Sequence, residues 1–296
     1  MISSILDICR VYGLKTGWPI LLGLAVLYVP TFYDLSMGLW NTEEQAHGPF
    51  ILLVTFYLFW QKRALFLVAS ENSNSALGSL ILLFGLLFYA IGRSQDILLF
   101  EIGSIIWVLT GILLITRGTG MIKKILFPLL FIVFMIPLPG FLMDALTGPL
   151  KQAISLIAEN MLYWAGYPIA RVGVALHIGQ YQLMVADACS GLHSLFSLLA
   201  VGLLYQYLIA YKSWKHRILL LLTIIPVAFF ANVVRVMLLV LITYHLGDEA
   251  GQGFLHGAAG IAMFTVAMLL FFILDSLLSK LFPEPVFESS GRIAKT

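Results

Sequence analysis

The chain has 296 residues, 60% of them hydrophobic and only 11% charged, with a formal net charge of +2. A water-soluble domain carries about 25% charged residues, so this composition excludes a surface that faces water over most of its area. No basic stripe is present to neutralise phosphates, which excludes nucleic acid as a partner. The two cysteines, Cys9 and Cys189, stand far apart in different contexts and form neither a disulfide framework nor a CxxC-type metal site.

Met1 to Lys15 mixes Asp7, Arg10 and Lys15 with short apolar stretches and lacks an A-x-A cleavage site. It is expected to lead into a first span rather than to be removed. A helix needs about 20 apolar residues to cross the hydrocarbon core. Stretches of that kind predict roughly eight spans, at 17–34, 47–66, 76–94, 97–116, 121–140, 190–211, 217–246 and 254–281. Pro137-Leu138-Pro139-Gly140 ends the fifth. Residues 141–165 are helix-like but carry Asp144, Lys151 and Glu159, which predicts an interfacial helix. Residues 168–188 are β-branched and alternating, with Gly179-Gln180 as a turn, and predict a β-hairpin. An open hairpin cannot sit in lipid, so it is expected on the outer surface, delivering the chain to Cys189. The expected fold is an all-α polytopic bundle with one interfacial helix and one short extracytoplasmic hairpin. It forms a single integral membrane domain over 1–282, followed by a polar tail at 283–296.

Orientation follows from the basic residues. With a cytoplasmic N-terminus, thirteen of the seventeen lie inside, and only Arg93, Lys151, Arg171 and Arg235 lie on outer segments or outer helix ends. Asp34, Glu43, Glu44, Asp96, Asp144, Asp187, Asp248 and Glu249 fall outside on the same topology. Both termini are then expected in the cytoplasm.

Three outer helix ends carry reactive side chains. The sixth span opens with Asp187-Ala188-Cys189-Ser190-Gly191-Leu192-His193, the seventh carries Asn232-Val233-Val234-Arg235-Val236, and the eighth opens with Leu255-His256-Gly257. At 1.5 Å per residue, Arg235 lies about 27 Å beyond Arg217, in the outer part of the membrane, level with the starts of the sixth and eighth spans. A cysteine at a helix N-terminus near a cation is favoured as thiolate. A histidine can take the thiol proton and return it to a leaving amine. An arginine inside a membrane helix is costly unless it faces a cavity or partner, and its fork of donors suits an oxyanion or carboxylate.

Each residue also has a plainer reading. Cys189 alone suits a small buried apolar residue, His256 an interface cap, and Arg235 a side chain snorkelling to the headgroups. Convergence of all three at one membrane level favours the chemical reading. His193, four residues after Cys189 on the same helix face, is a rival base. Asn232 is expected to help hold the guanidinium. Gly191, Gly257 and Gly260 allow close approach of helices or of a substrate backbone. His47 and His177 are placed as substrate lining, and His245 as an interface residue. No spacing rule supports a metal site from Cys189, His193 and His256, and no cofactor is expected.

The segments Ala188-Cys189-Ser190-Gly191, Asn232-Val233-Val234-Arg235-Val236 and Leu255-His256-Gly257 together resemble the three-part signature of the exosortase/archaeosortase family. Gly166-Tyr167-Pro168-Ile169-Ala170-Arg171-Val172-Gly173 resembles the stretch upstream of the family cysteine, and Glu44-Gln45-Ala46-His47-Gly48-Pro49 resembles the exosortase B branch. The resemblance implies a multi-pass bacterial inner-membrane cysteine transpeptidase facing the periplasm, with Cys189 as nucleophile, Arg235 as the arginine and His256 as the histidine. It further implies C-terminal sorting tails of exported proteins as partners, with a Pro-Glu-Pro motif, a transmembrane helix and a basic cluster, and a link to extracellular polysaccharide and biofilm assembly. Two other classes compete with it: a transporter or polysaccharide-assembly scaffold without covalent chemistry, and an acyltransferase using His256 alone. Few intramembrane carboxylates, no repeat symmetry and no broken helix pair weigh against a transporter.

The topology has a direct consequence. Cysteines introduced into 168–188 and 247–253 should react with a membrane-impermeant reagent added outside, and cysteines at 212–217 should not. The reverse pattern would overturn the orientation.

Overall fold

The computed structural model describes residues 2–42, 45–66, 74–184, 191–209, 211, 213–247, 249–250 and 254–281. Within these, 2–16, 146, 191–195 and 254–259 are described by their backbone alone. The chain divides into two compact units, Met1–Gly140 and Phe141–Thr296. The division falls at the predicted Pro137–Pro139 helix stop, where the chain has no regular structure.

The first unit contains α1 (Ile2–Met37), α2 (Gly48–Gln61), α3 (Ser75–Ser94) and α4 (Leu98–Phe131), which runs into a 3-10 turn at Ile132–Met135. Helices α3 and α4 form a tightly packed antiparallel pair, and glycine makes the fit. Gly78, Gly85 and Gly92 recur every seventh residue along α3, and all three are buried. A Cβ on Gly85 would lie 2.8 Å from the Val108 backbone nitrogen, and one on Gly78 would lie 2.8 Å from that of Ile115. Gly111 of α4 returns the approach, 2.7 Å from the Leu82 Cα by the same measure. Lipid offers no hydrophobic drive for helix association, so close backbone approach supplies the attraction.

A polar lock ties this pair to α1. Glu101 of α4, 2% exposed, accepts hydrogen bonds from Thr31 (2.6 Å) and from Arg93 (3.1 Å). Arg93 also holds Asp34 at 2.7 Å, and Tyr28 meets Ser104 at 2.8 Å.

The second unit begins with α5 (Gly140–Trp164), followed by β1 (Ile169–Val172), β2 (Ala175–Ile178) and β3 (Tyr181–Met184). The strands form an antiparallel meander in the order β1-β2-β3. The expected turn at Gly179-Gln180 is present, with Ile178 opposite Tyr181, but the hairpin is a three-stranded sheet. A second turn at Gly173-Val174, with Val172 opposite Ala175, adds the extra strand. Gly173 and Gly179 open the two turns with φ of 63° and 56°, the left-handed conformation wanted at the first position of a two-residue hairpin loop. Leu176, Ile178 and Leu183 bury one face of the sheet against Ile154, Ala158 and Leu162 of α5.

Three long helices complete the unit: α6 (Gly191–Ile209), α7 (Trp214–Leu246) and α8 (Phe254–Leu281). The sheet packs on Val236, Leu239 and Val240 of α7. Leu198, Ile224 and Phe271 join α6, α7 and α8 deeper in the bundle.

Among the described residues, five helical segments are long and apolar enough to cross a membrane: 17–41, 75–94, 98–135, 214–246 and 260–281. The expected second and sixth spans are shorter apolar helices, 48–61 and 196–209. The expected fourth and fifth spans form one stretch interrupted at Gly118, whose φ of 74° and ψ of −178° break the helix. Large apolar side chains point outward along these helices, including Val26, Phe56, Ile261 and Leu281, each more than 65% exposed. Outward apolar residues opposite a packed face are what a lipid environment selects. The chain is a multi-pass helical membrane protein.

The glycine fit is testable. Gly111→Leu should destabilise the α3–α4 pair by about 1–3 kcal/mol through overpacking. Gly23→Leu should be close to neutral, because nothing lies within 4 Å of that position. Unfolding midpoints of the two detergent-solubilised variants check the contrast; equal midpoints would remove glycine packing as the cause.

Candidate functional site

The sequence places Arg235 in the middle of an apolar helix, and the fold explains how it is tolerated there. α7 turns Arg235 inward, leaving it 5% exposed. The guanidinium lies against Gly260 of α8, where a Cβ would come within 3.3 Å of Nη2 and 3.5 Å of Cζ. A Cβ at 260 would press on the guanidinium, which would have to give by a few tenths of an ångström. Gly260 thus has the close-approach role that its sequence context suggests, with a side chain rather than a helix backbone as the approaching group.

Below the guanidinium a small cavity opens between α6, α7 and α8. Leu198, Ala228, Ala231, Met263, Phe264 and Ala267 form its apolar walls. Its polar lining consists of Arg235 and Asn232, one helical turn apart on the same face of α7. Asn232 does not hold the guanidinium as expected: both carboxamide atoms, Nδ2 and Oδ1, are buried and lack a hydrogen-bond partner among the described residues.

His256 belongs to α8, four residues before Gly260. One turn of helix, about 6 Å of rise, therefore separates its backbone from the guanidinium contact; its side chain lies outside the described residues. Gly257 is on the same turn. Cys189 and Ser190 lie outside the described residues, five and six positions beyond the end of β3 and immediately before α6. Gly191 is the first residue of α6 and His193 stands in its first turn, the side chain of His193 again outside the described residues. The structure therefore brings together Arg235, Asn232, Gly260 and the backbone turn that carries His256.

The remaining histidines divide between packing and position. His177 sits mid-strand in β2, opposite Ala170 and Gln182. His245, at the end of α7, contacts the Tyr167 and Tyr244 rings and meets the Tyr167 hydroxyl at 3.4 Å. His47 caps α2 in the first unit, where Trp40 packs over the neighbouring Gly48.

Sequence reasoning passed over two buried carboxylates. Asp275 of α8 accepts from Tyr205 and Tyr211 at 2.7 Å each and meets His216 Nε2 at 2.9 Å. The Tyr211 ring stacks on the His216 ring at 4.3 Å. Glu101 is the other. An ionisable residue inside an apolar span is a signal in its own right, and both positions fall within predicted spans. In each case the carboxylate is met by donors from other helices, which makes these residues ties between helices.

A helical membrane unit with an arginine buried beside a cavity, next to a helix that opens on a histidine, defines a membrane protein with a polar intramembrane site. The family profile described as transmembrane exosortase matches residues 40–273. The chain belongs to the transmembrane exosortase family. No curated protein and no solved structure matches it.

Proposed function

We propose that this exosortase is a membrane-embedded cysteine transpeptidase that processes C-terminal sorting tails of exported proteins, with Cys189, Arg235 and His256 as its reactive set. The observation that carries the reading is the burial of Arg235 against Gly260, one turn from His256. An intramembrane arginine held at a cavity is a functional feature by default, and here it stands beside the helix turn that supplies a base.

In the proposed reaction, His256 takes the proton of the Cys189 thiol. The thiolate attacks the scissile carbonyl of the tail, and Arg235 stabilises the developing oxyanion. Collapse breaks the C–N bond, and His256 returns its proton to the leaving amine. The resulting thioester is attacked by an amine or by water, which restores the thiol and releases the product. Ser190, Gly191 and Gly257 flank the nucleophile and base at helix starts, and His193 is a secondary base. His47 and His177 are proposed to line the substrate path.

The proposed setting is the bacterial inner membrane, with about eight crossings, both termini cytoplasmic and the site facing the periplasm. The short helices at 48–61 and 196–209 and the break at Gly118 would supply the three crossings beyond the five long apolar segments. Substrates of this kind reach the site through lipid, as expected for an enzyme of extracellular polysaccharide and biofilm assembly. The buried carboxylates weigh against a transporter, because Glu101 and Asp275 are engaged by donors within the protein.

Incubation of the purified protein with a tailed substrate tests the reading. Wild type should cleave the tail and accumulate a hydroxylamine-sensitive adduct at Cys189, and Cys189→Ala should do neither. Cleavage by Cys189→Ala would overturn the mechanism. Arg235→Lys keeps the charge but loses the planar fork, and should process about 10²–10³-fold more slowly at normal membrane levels. Near wild-type rates for that variant would instead assign Arg235 to snorkelling.

A further inference from the structure

Asn232 is the buried polar residue whose donor and acceptor atoms are both unmet at the cavity wall. It is 3% exposed and lines the cavity beneath Arg235, yet neither end of its carboxamide has a hydrogen-bond partner among the described residues. A buried amide without partners costs roughly 1–3 kcal/mol per unmet group, and lipid cannot supply a partner. Two other polar side chains buried in this bundle are paired. Asp275 is met by three donors, and Gln206 donates to the Arg217 carbonyl at 3.0 Å.

A carboxamide presents a donor and an acceptor side by side. Its complement is an acceptor and a donor lying side by side, as the C=O and N–H of one residue do in an extended peptide, where they point to the same side of the backbone. The cavity has a volume of about 20 Å³, room for about one water, which an incoming amide group can displace while replacing its hydrogen bonds. Arg235 borders the same space from the adjacent turn. Its guanidinium only donates, so it can satisfy a carbonyl but not an N–H; within this cavity, Asn232 supplies the acceptor.

We propose that Asn232 binds the backbone N–H and C=O of one residue of the target peptide beside the scissile bond, setting the register in which that bond meets Arg235. This rests on the transpeptidase reading for the identity of the peptide. Asn232 is a substrate-binding residue, and its unmet hydrogen bonds in the free protein are completed by the substrate.

The test separates binding from chemistry. A fluorescent synthetic tail peptide, with Pro-Glu-Pro motif, transmembrane helix and basic cluster, is reconstituted in nanodiscs with full-length protein carrying Cys189→Ala. Binding is read by energy transfer, and stability by the unfolding midpoint without peptide. Asn232→Leu, close in volume but apolar, should weaken binding about tenfold or more, as expected for two lost hydrogen bonds. Its midpoint should be unchanged or raised, because the unmet amide is gone. Asn232→Asp keeps the acceptor and loses the donor, and should fall between the two. Equal binding by the Leu variant and its parent would overturn the proposal, leaving a resident water as the partner of Asn232. Weaker binding together with a lowered midpoint would overturn it in favour of a structural role, and so would absence of peptide binding by the parent. Failure of the wild type to cleave the tail would sink the transpeptidase reading alone, since the binding ratio is measured without turnover.

Discussion

Hydrocarbon gives a buried charge nothing to bind, and that constraint organises the second unit of this protein. Arg235 can stay inside the bundle only if neighbouring helices leave room for a planar cation and exclude lipid from it. Gly260 meets the first demand by having no side chain where the guanidinium lies. The apolar walls around Leu198, Ala228 and Phe264 meet the second. Helices α7 and α8 approach closely at this level, because even a methyl group at 260 would press on the guanidinium. His256 is four residues along the same helix, so its backbone height is fixed by the same contact.

The first unit obeys the same solvent by another route. Glycines at 78, 85 and 92 bring α3 against α4 until side chains at those positions would meet backbone atoms. The Glu101–Arg93–Asp34 lock then adds a directional constraint from α1. Glu101 is almost fully buried, whereas Arg93 and Asp34 are about half exposed. The carboxylate inside is therefore neutralised by a cation that keeps contact with the surroundings. At the far end of the second unit, Asp275 is satisfied by two tyrosines and a histidine instead. Packing brings helices together in both units, and hydrogen-bonded polar groups fix which residues face each other.

Much of this was legible in the sequence where a single residue type dictates one outcome. The Pro137–Pro139 helix stop and the Gly179-Gln180 turn were legible, because proline and glycine restrict backbone geometry directly, whereas the division into two compact units at that stop was not. Arg235 and Gly260 were legible as a costly charge and a close-approach position. The first turn of the meander was not, since Gly173-Val174 lies within a run of β-branched residues that reads as a continuous strand. The break at Gly118 was hidden for a related reason: hydropathy continues across it, and one positive φ leaves no trace in an apolar average. Thr31 stands 70 positions from Glu101, and Tyr205, Tyr211 and His216 stand 59 to 70 positions from Asp275, beyond any local pattern. The fit of Gly111 against Leu82 is likewise tertiary, although the seven-residue spacing along α3 could have revealed that helix's packing face.

The contrast between Asp275 and Asn232 is what gives the site its meaning. Both are polar, both are buried, and both sit on long helices of the same bundle. A sequence that folds well satisfies its buried polar groups, and departures from that rule concentrate where function requires them. The chain shows that it can satisfy a buried acid, recruiting Tyr205 of α6, Tyr211 of the connection after it and His216 of α7 for one carboxylate. It does not do so for Asn232, whose two carboxamide atoms have no hydrogen-bond partner among the described residues. An asparagine that served only to orient the arginine would bond to it. An asparagine that served only to pack would be replaced by leucine at a gain in stability. The carboxamide instead remains open at the wall of the cavity, where a partner from outside the protein can complete it.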